Sequence, residues 1–346
     1  MKIAIVNDMV MAVECLRRAL LSRPGYEVIW TAANGAEAVE RCRQQRPDLV
    51  LMDMVMPVMG GAEATRRIMQ SSPCPILVVT SSIDNNAAQV FETLGAGALD
   101  AVKTPILTST LGDSDVAEFL RKVDMLGRFV ATADRAPVSP ASRSSAVAYS
   151  RGMPLVVIGA SSGGPSAVEK VLGDLTADFP APVIIVQHIF ADFSREFAAW
   201  LDRSIKLDVR LAEVGSVPSP GEVLIARGGS HLVLEESGRL NYIDHIEGHR
   251  YQPSVDVFFH SVARHWRGAV VAVLLTGMGR DGADGMRALH RGGHYTIAQS
   301  EASCAVYGMP KAAVELGAVS QVLAPDDIAE ALKANIGRAI VGKVAG

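Results

Sequence analysis

Leu155-Val156-Val157-Ile158-Gly159-Ala160-Ser161-Ser162-Gly163-Gly164-Pro165 is the stretch whose reading decides the fold. An apolar run of strand length stops at a turn of small residues, and Ser166–Leu172 beyond it reads as a helix. Strand, tight turn and helix in that order form the unit of a parallel sheet, whose neighbouring strands need a helical crossover. Small residues let the backbone turn sharply. The turn exposes a hydroxyl beside a helix N-terminus, where free N–H groups favour negative charge. Taken alone the turn is ambiguous. It could cradle a phosphate, but Gly159, Gly163 and Gly164 miss both the dinucleotide G-x-G-x-x-G and the Walker A spacing, which also needs a Lys. A purely structural turn is the blandest reading.

The same unit recurs on both sides of this stretch. Upstream, strands are predicted at Ile3–Val6, Val28–Thr31, Leu49–Met52, Ile76–Val79 and Leu99–Val102. Helices are predicted between them at Ala12–Leu20, Ala36–Arg43, Ala62–Met69, Ala87–Leu94 and Val116–Met125. Asn34 followed by Glu37 has the form of a helix N-terminal cap. Downstream, strands are predicted at Val183–Val186, Val223–Ile225, Val270–Leu275 and Thr296–Ala298, and helices at Arg195–Leu201, Val255–Arg264, Gly285–His290 and Lys311–Leu316. His231–Leu234 and Leu240–Ile243, flanking Glu235-Glu236-Ser237-Gly238, read as a hairpin. Between the halves, Asp134 to Ser145 is polar, rich in Pro and Ser, and aperiodic, as a linker is. The expectation is an α/β chain of two doubly wound domains. One is a five-stranded parallel (βα)5 unit over residues 1–126, followed by a flexible linker over 127–152. The other, over 153–346, is a larger, mostly parallel domain with an added hairpin.

A length of 346 residues exceeds what one hydrophobic core usually serves. Apolar residues make up 49% and charged residues 20%, the balance of a folded chain rather than a disordered one. A formal net charge of -4 offers no basic footprint for nucleic acid. Cys15, Cys42, Cys74 and Cys304 lack CxxC or CxxH spacing, which favours small buried side chains over metal ligation. His245 and His249 have an i,i+4 spacing, but Gly248 between them and loop-like surroundings argue against a zinc pair. No apolar run reaches the ~20 residues a membrane span needs, and the N-terminus starts directly on a strand. A cytoplasmic protein without membrane insertion is expected.

In a doubly wound sheet, function collects at the carboxyl ends of the strands. Those ends in the first half carry Asn7-Asp8, Asp53, Thr80 and Lys103. Carboxylates converging there would make an acidic site for a hard cation such as Mg²⁺, one of them free to accept a phosphoryl group. The run Leu49-Val50-Leu51-Met52-Asp53-Met54-Val55-Met56-Pro57, with Gly60-Gly61, resembles the phosphorylation motif of response-regulator receivers. That resemblance implies Asp53 as phospho-acceptor, Asp8 and the Val55 carbonyl as further metal ligands, and Thr80 and Lys103 as the switch pair. Two departures stand out. Asn7 replaces the first of two acids, which predicts weaker Mg²⁺ binding, and Lys103-Thr104-Pro105 inverts the usual Thr-Lys-Pro. One residue of register reverses the face of a strand side chain, so Lys103 is open to pointing away from the site.

In the second half, Val183-Ile184-Ile185-Val186-Gln187-His188 ends on a histidine. Val270–Leu275 runs into Thr276-Gly277-Met278-Gly279-Arg280-Asp281-Gly282. A lone histidine at a strand end is more often a satisfied polar residue than a catalyst. With a serine and an aspartate at neighbouring strand ends, however, the set supplies a nucleophile, a general base and the group that orients the base. The order Ser…His…Asp differs from the Ser…Asp…His of α/β-hydrolases. Gly159-Ala160-Ser161-Ser162-Gly163-Gly164, Gln187-His188, Pro253-Ser254-Val255-Asp256, Leu275 to Gly282, Gln299 to Cys304 and Gly308-Met309-Pro310 together resemble the CheB family of protein-glutamate methylesterases. The Asn7-Asp8-Met9 opening looks like a subgroup found with Wsp-type chemosensory systems.

The CheB resemblance implies Ser161 as nucleophile, His188 as base and Asp281 as its partner. Met278 N–H is the oxyanion-hole candidate, joined by an N–H of the Ser162–Gly163 turn. It implies hydrolysis of glutamyl methyl esters on methylated chemoreceptors, with deamidation of receptor glutamines by the same chemistry. Phosphate would come from a sensor histidine kinase, and phosphorylation of Asp53 would lift a block that the receiver places on the hydrolase. Mg²⁺ belongs to the receiver alone, and the catalytic domain needs no cofactor. Two rivals are a DNA-binding output, for which no helix-turn-helix is legible, and a catalytically idle adaptor.

Overall fold

The computed structural model describes residues 1–80, 87–105, 114–130, 152–189, 191–244, 246 and 251–344. Two compact units divide the chain, Met1–Ala136 and Pro137–Gly346. His245, His249 and most of the linker stretch lie outside the described residues.

In the first unit, β1 (Lys2–Val6), β2 (Glu27–Ala32), β3 (Leu49–Met52), β4 (Ile76–Thr80) and β5 (Asp100–Lys103) form one parallel sheet in the order β2-β1-β3-β4-β5. Helices α1 (Val10–Leu21), α2 (Gly35–Gln44), α3 (Gly61–Ser71), α4 (Ala87–Gly95) and α5 (Ser114–Val130) alternate with the strands. β3 and β4 are buried along their whole length, as unbroken apolar runs require when helices cover both faces of a sheet. One core layer packs Ile3, Ile5, Leu16, Leu20, Phe119 and Val123 together. The Asn34 side chain accepts from Glu37 N at 3.0 Å, and Glu37 reaches back to Ala33 N at 3.0 Å, which satisfies free donors at the start of α2. α5 continues to Val130, past the expected domain end at 126.

The second unit carries a seven-stranded parallel sheet and a separate hairpin. Its strands are β6 (Gly152–Ala160), β7 (Val183–Gln187), β8 (Asp208–Leu211), β9 (Glu222–Ile225), β10 (His231–Leu234), β11 (Leu240–Ile243), β12 (Gly268–Leu274), β13 (Tyr295–Gln299) and β14 (Gln321–Leu323). The sheet order is β14-β13-β12-β6-β7-β9-β8, and β10 and β11 pair antiparallel as the hairpin. Helices are α6 (Gly164–Gly173), α7 (Ala191–Ser204), α8 (Val255–His265), α9 (Ala283–Arg291), α10 (Met309–Glu315) and α11 (Pro325–Val344).

The expected doubly wound architecture is present in both units, with three elements that the sequence reading missed. β8 and β14 are short strands with partly exposed residues at the two edges of the sheet, where little apolar pattern is needed. α11 did have signals. Pro325-Asp326-Asp327 is a favourable first turn, and Ile328, Leu332 and Ile336 are buried at a spacing of four.

Both sheets reverse direction of growth beside their first strand. The reversal falls between β1 and β3 in one sheet and between β6 and β12 in the other. In open α/β sheets, the crevice at the carboxyl ends of the strands at such a point is where ligands bind.

Candidate functional site

At the β1/β3 crevice, Asp8 follows β1 and Asp53 follows β3, with Asp53 N donating to Val6 O at 2.9 Å. Burial raises the Asp53 pKa above its ordinary value and the nearby Asp8 charge adds to the rise, against the amides of Met54 and Val55. Met54 N donates to Asp53 Oδ1 at 2.8 Å. Gly61 allows the start of α3 to pack against the backbone of Asp53, because a Cβ there would stand 2.2 Å from the Asp53 carbonyl oxygen. Asn7 is buried and its Oδ1 accepts from Met9 N at 2.8 Å, so its amide braces the turn into α1. Thr80 is buried at the end of β4. Its register partner Lys103 ends β5 exposed to solvent, and Thr104 N bonds Thr80 O at 2.8 Å. Among the described residues, no three His, Cys, Asp or Glu side chains gather as a metal-binding group. Asn7 in place of an acid leaves this crevice with two carboxylates.

The second crevice is built from three adjacent strand ends. β6 and β7 run in register through Ala160↔Gln187, which sets Ser161 and His188 at neighbouring exits. His188 N bonds Ala160 O at 3.0 Å, and Ser161 N bonds Thr276 O at 3.0 Å in the loop after β12. Gln187 Nε2 donates to Ser161 O at 2.8 Å. Thr276 Oγ1 donates to Ser162 O at 3.0 Å and accepts from Val306 N at 2.9 Å, tying the two loops together. Gly277 is required by this closeness, since a Cβ there would lie 2.7 Å from Ser161 Cβ and 2.3 Å from Met309 Sδ.

His188 Nε2 and Asp281 Oδ2 are 2.7 Å apart, with both side chains 8% exposed. Asp281 also accepts from Val255 N at 2.7 Å, Asp256 N at 3.1 Å and Ser254 Oγ at 2.8 Å. These groups form the start of α8. Burial by itself would raise the Asp281 pKa, but the His188 bond and the amides of Val255 and Asp256 outweigh it and hold the carboxyl down at about 2. Asp256, accepting from Gly285 N at 2.7 Å, is pushed up to about 6 by burial, and the Asp281 charge adds to the rise.

With Nε2 committed to Asp281, His188 Nδ1 is buried and has no partner among the described residues. The Ser162 hydroxyl is likewise sealed without a partner, whereas Ser161 keeps slight exposure, which separates the two candidate nucleophiles. Met278 N–H makes no hydrogen bond among the described residues, and neither do Ser162 N–H and Gly163 N–H. Sequence reasoning did not single out Ser254 or Tyr251. Pro253-Ser254-Val255-Asp256 had been noted as a motif, but its contact with Asp281 joins positions 27 apart and has no local signal.

Fold and sites together define a two-domain α/β protein in which a response-regulator receiver accompanies a hydrolase domain with a buried His–Asp pair. The CheB methylesterase family model matches residues 156–332, and the response regulator receiver domain model matches residues 3–113. The chain is 51% identical over 333 residues to protein-glutamate methylesterase/protein-glutamine glutaminase 4 of Burkholderia thailandensis, covering 96% of each chain. Its identity is also 51% over 340 residues to a relative of Burkholderia lata, protein-glutamate methylesterase/protein-glutamine glutaminase 2, covering 98% of this chain and 99% of that one. The crystal structure of the Thermotoga maritima CheB methylesterase catalytic domain is similar, with a TM-score of 0.50 and 36% identity over 53% of this chain and 97% of that chain. The chain belongs to the CheB methylesterase family.

Proposed function

We propose that the protein hydrolyses glutamate methyl esters on methyl-accepting chemoreceptors, releasing methanol, and deamidates receptor glutamines by the same chemistry. Phosphorylation of Asp53 controls the activity. The observation that carries the reading is the 2.7 Å His188–Asp281 pair beside the exit of β6 that bears Ser161.

In this reading Ser161 Oγ attacks the γ-carbonyl of the ester, and His188 accepts the hydroxyl proton. Because Nε2–H donates to Asp281, Nδ1 is the nitrogen left to act as base. The imidazolium then gives its proton to the departing methoxide, and methanol leaves an acyl-Ser161. Water, deprotonated by the same nitrogen, hydrolyses the acyl-enzyme to glutamate and restores Ser161. A glutamine side chain follows the same course with ammonia as leaving group. Met278 N–H is an available donor for the oxyanion, and one such donor is typically worth ~3 kcal/mol.

In the receiver, Asp8, Asp53 and the Val55 carbonyl would hold Mg²⁺. The donor set fits, since burial raises the Asp53 pKa, the Asp8 charge adds to the rise, and a hard cation would offset both. Bound Mg²⁺ would supply positive charge to the phosphoryl oxygens. Thr80 and Lys103 are the switch residues, and a sensor histidine kinase is the phosphodonor. Among the described residues no helix is long and apolar enough to cross a membrane. In this reading the receptor is met from a cytoplasmic position. A receiver domain that ends with α5 and a methylesterase domain that begins with β6 complete the proposal.

The test compares methanol release from methylated receptor by the wild type and by Ser161→Ala, each with and without a small-molecule phosphodonor and Mg²⁺. Release that needs Ser161 and rises with the phosphodonor is expected. Equal release from Ser161→Ala would sink the assignment of the nucleophile.

A further inference from the structure

The short segment ahead of α8 contacts both members of the acid–base pair. The Tyr251 ring lies flat against the His188 imidazole, with centroids 4.1 Å apart and planes 8° from parallel. Its hydroxyl reaches over the loop that bears Met278, 3.7 Å from where a Cβ on Gly279 would stand. Three residues on, Ser254 Oγ donates to Asp281 Oδ1 at 2.8 Å while capping α8 through Val257 N at 3.3 Å. Ser254 N in turn bonds His231 Nδ1 at 3.2 Å, which anchors the segment to the hairpin.

We propose that Tyr251 and Ser254 are positioning residues for the hydrolysis, Tyr251 acting on His188 and Ser254 on Asp281. The inference rests on the proposed esterase reading. Ring stacking restricts rotation of the imidazole and covers one of its faces. An aromatic face also attracts a cation, so the stack favours the imidazolium that forms when Ser161 loses its proton. Ser254 restricts rotation of the Asp281 carboxylate, leaving Oδ2 directed at His188 Nε2. Among the described residues the charged group bonded to the imidazole is Asp281, whose own charged neighbour is Asp256 on α8, which in turn feels His260 and Asp284.

The experiment measures kcat, KM and the pH profile of methanol release for the full chain and its variants, with thermal unfolding as the check on folding. Tyr251→Phe keeps the ring and is expected to stay within about twofold of wild type. Tyr251→Leu is expected to lose roughly tenfold in kcat with KM little changed. Its acid limb should also move to lower pH by about one unit, a cation–π attraction between the exposed and the desolvated size, since the His188 side chain is largely buried. Tyr251→Met, long but without an aromatic face, replaces it if the Leu variant does not fold. Ser254→Gly keeps most of the helix cap but deletes the donor, and is expected to lose kcat while its unfolding midpoint hardly changes. An unmoved acid limb with kcat within twofold in Tyr251→Leu overturns the role of Tyr251. Near-wild-type kcat in Ser254→Gly overturns that of Ser254. If the wild type itself releases no methanol, it is the esterase reading that has failed.

Discussion

Asn7 shows how one atom changes a site without changing a fold. Its carbonyl oxygen accepts the Met9 amide at 2.8 Å, a bond that an aspartate in the same rotamer would also make. The substitution therefore removes charge and keeps geometry. Two unit charges ~4 Å apart interact by about 4 kcal/mol at an effective dielectric of 20, of which desolvation leaves a part. Asn7→Asp is expected to tighten Mg²⁺ binding roughly tenfold. A magnesium titration indistinguishable from that of the wild type would refute this. Ser161 and Ser162 make the same point in the hydrolase. They are adjacent in sequence and equal in chemistry, but only the Ser162 hydroxyl is sealed off from solvent.

At the scale of an element, the start of α8 is where the electrostatics of the site are set. Its first amides converge on Asp281, the arrangement in which a helix N-terminus favours an anion. The same crowding makes a second charge costly, and Asp256 is pushed up to about 6 by burial and by Asp281. The two groups act on stability in opposite directions. Asp281, held at about 2, contributes stability that is present above pH 4 and lost as pH falls toward 2. For Asp256 the native state binds the extra proton between pH 4 and 6, so stability falls as pH rises through that window. Asp256→Asn keeps an acceptor for Gly285 N and removes the titration. Denaturant unfolding at pH 4 and pH 7 should show a smaller loss for the variant than for the wild type, by on the order of 2 kcal/mol. Equal losses would show that Asp256 is not the group responsible. α11, the element most plainly missed from sequence, rests on general features. Its first turn and its buried spacing of four were legible, yet its small residues weaken the pattern.

For the whole molecule, two sheets with the same reversal beside their first strand gather two different sets of side chains at their strand ends. In the proposed function, charge on Asp53 is what couples them. Asp53→Asn should leave basal methanol release near the wild-type level and abolish the increase caused by a phosphodonor with Mg²⁺. An increase that survives the substitution would place the phospho-acceptor elsewhere.

The strands that build both crevices were readable because a parallel strand buried on both faces is a short apolar run ended by a turn, a pattern contained within ten residues. Asp53, His188 and Ser161 were readable for the same reason, each standing where such a run stops. Sequence by itself thus determined the two α/β units, their strand ends and the residue types gathered there. Which nitrogen of His188 meets Asp281, the seal over Ser162, the exposure of Lys103 and the placing of Tyr251 and Ser254 were decided only by the tertiary structure. Those contacts join residues far apart in the chain through the packing of separate loops, and local periodicity carries no information about how such loops meet.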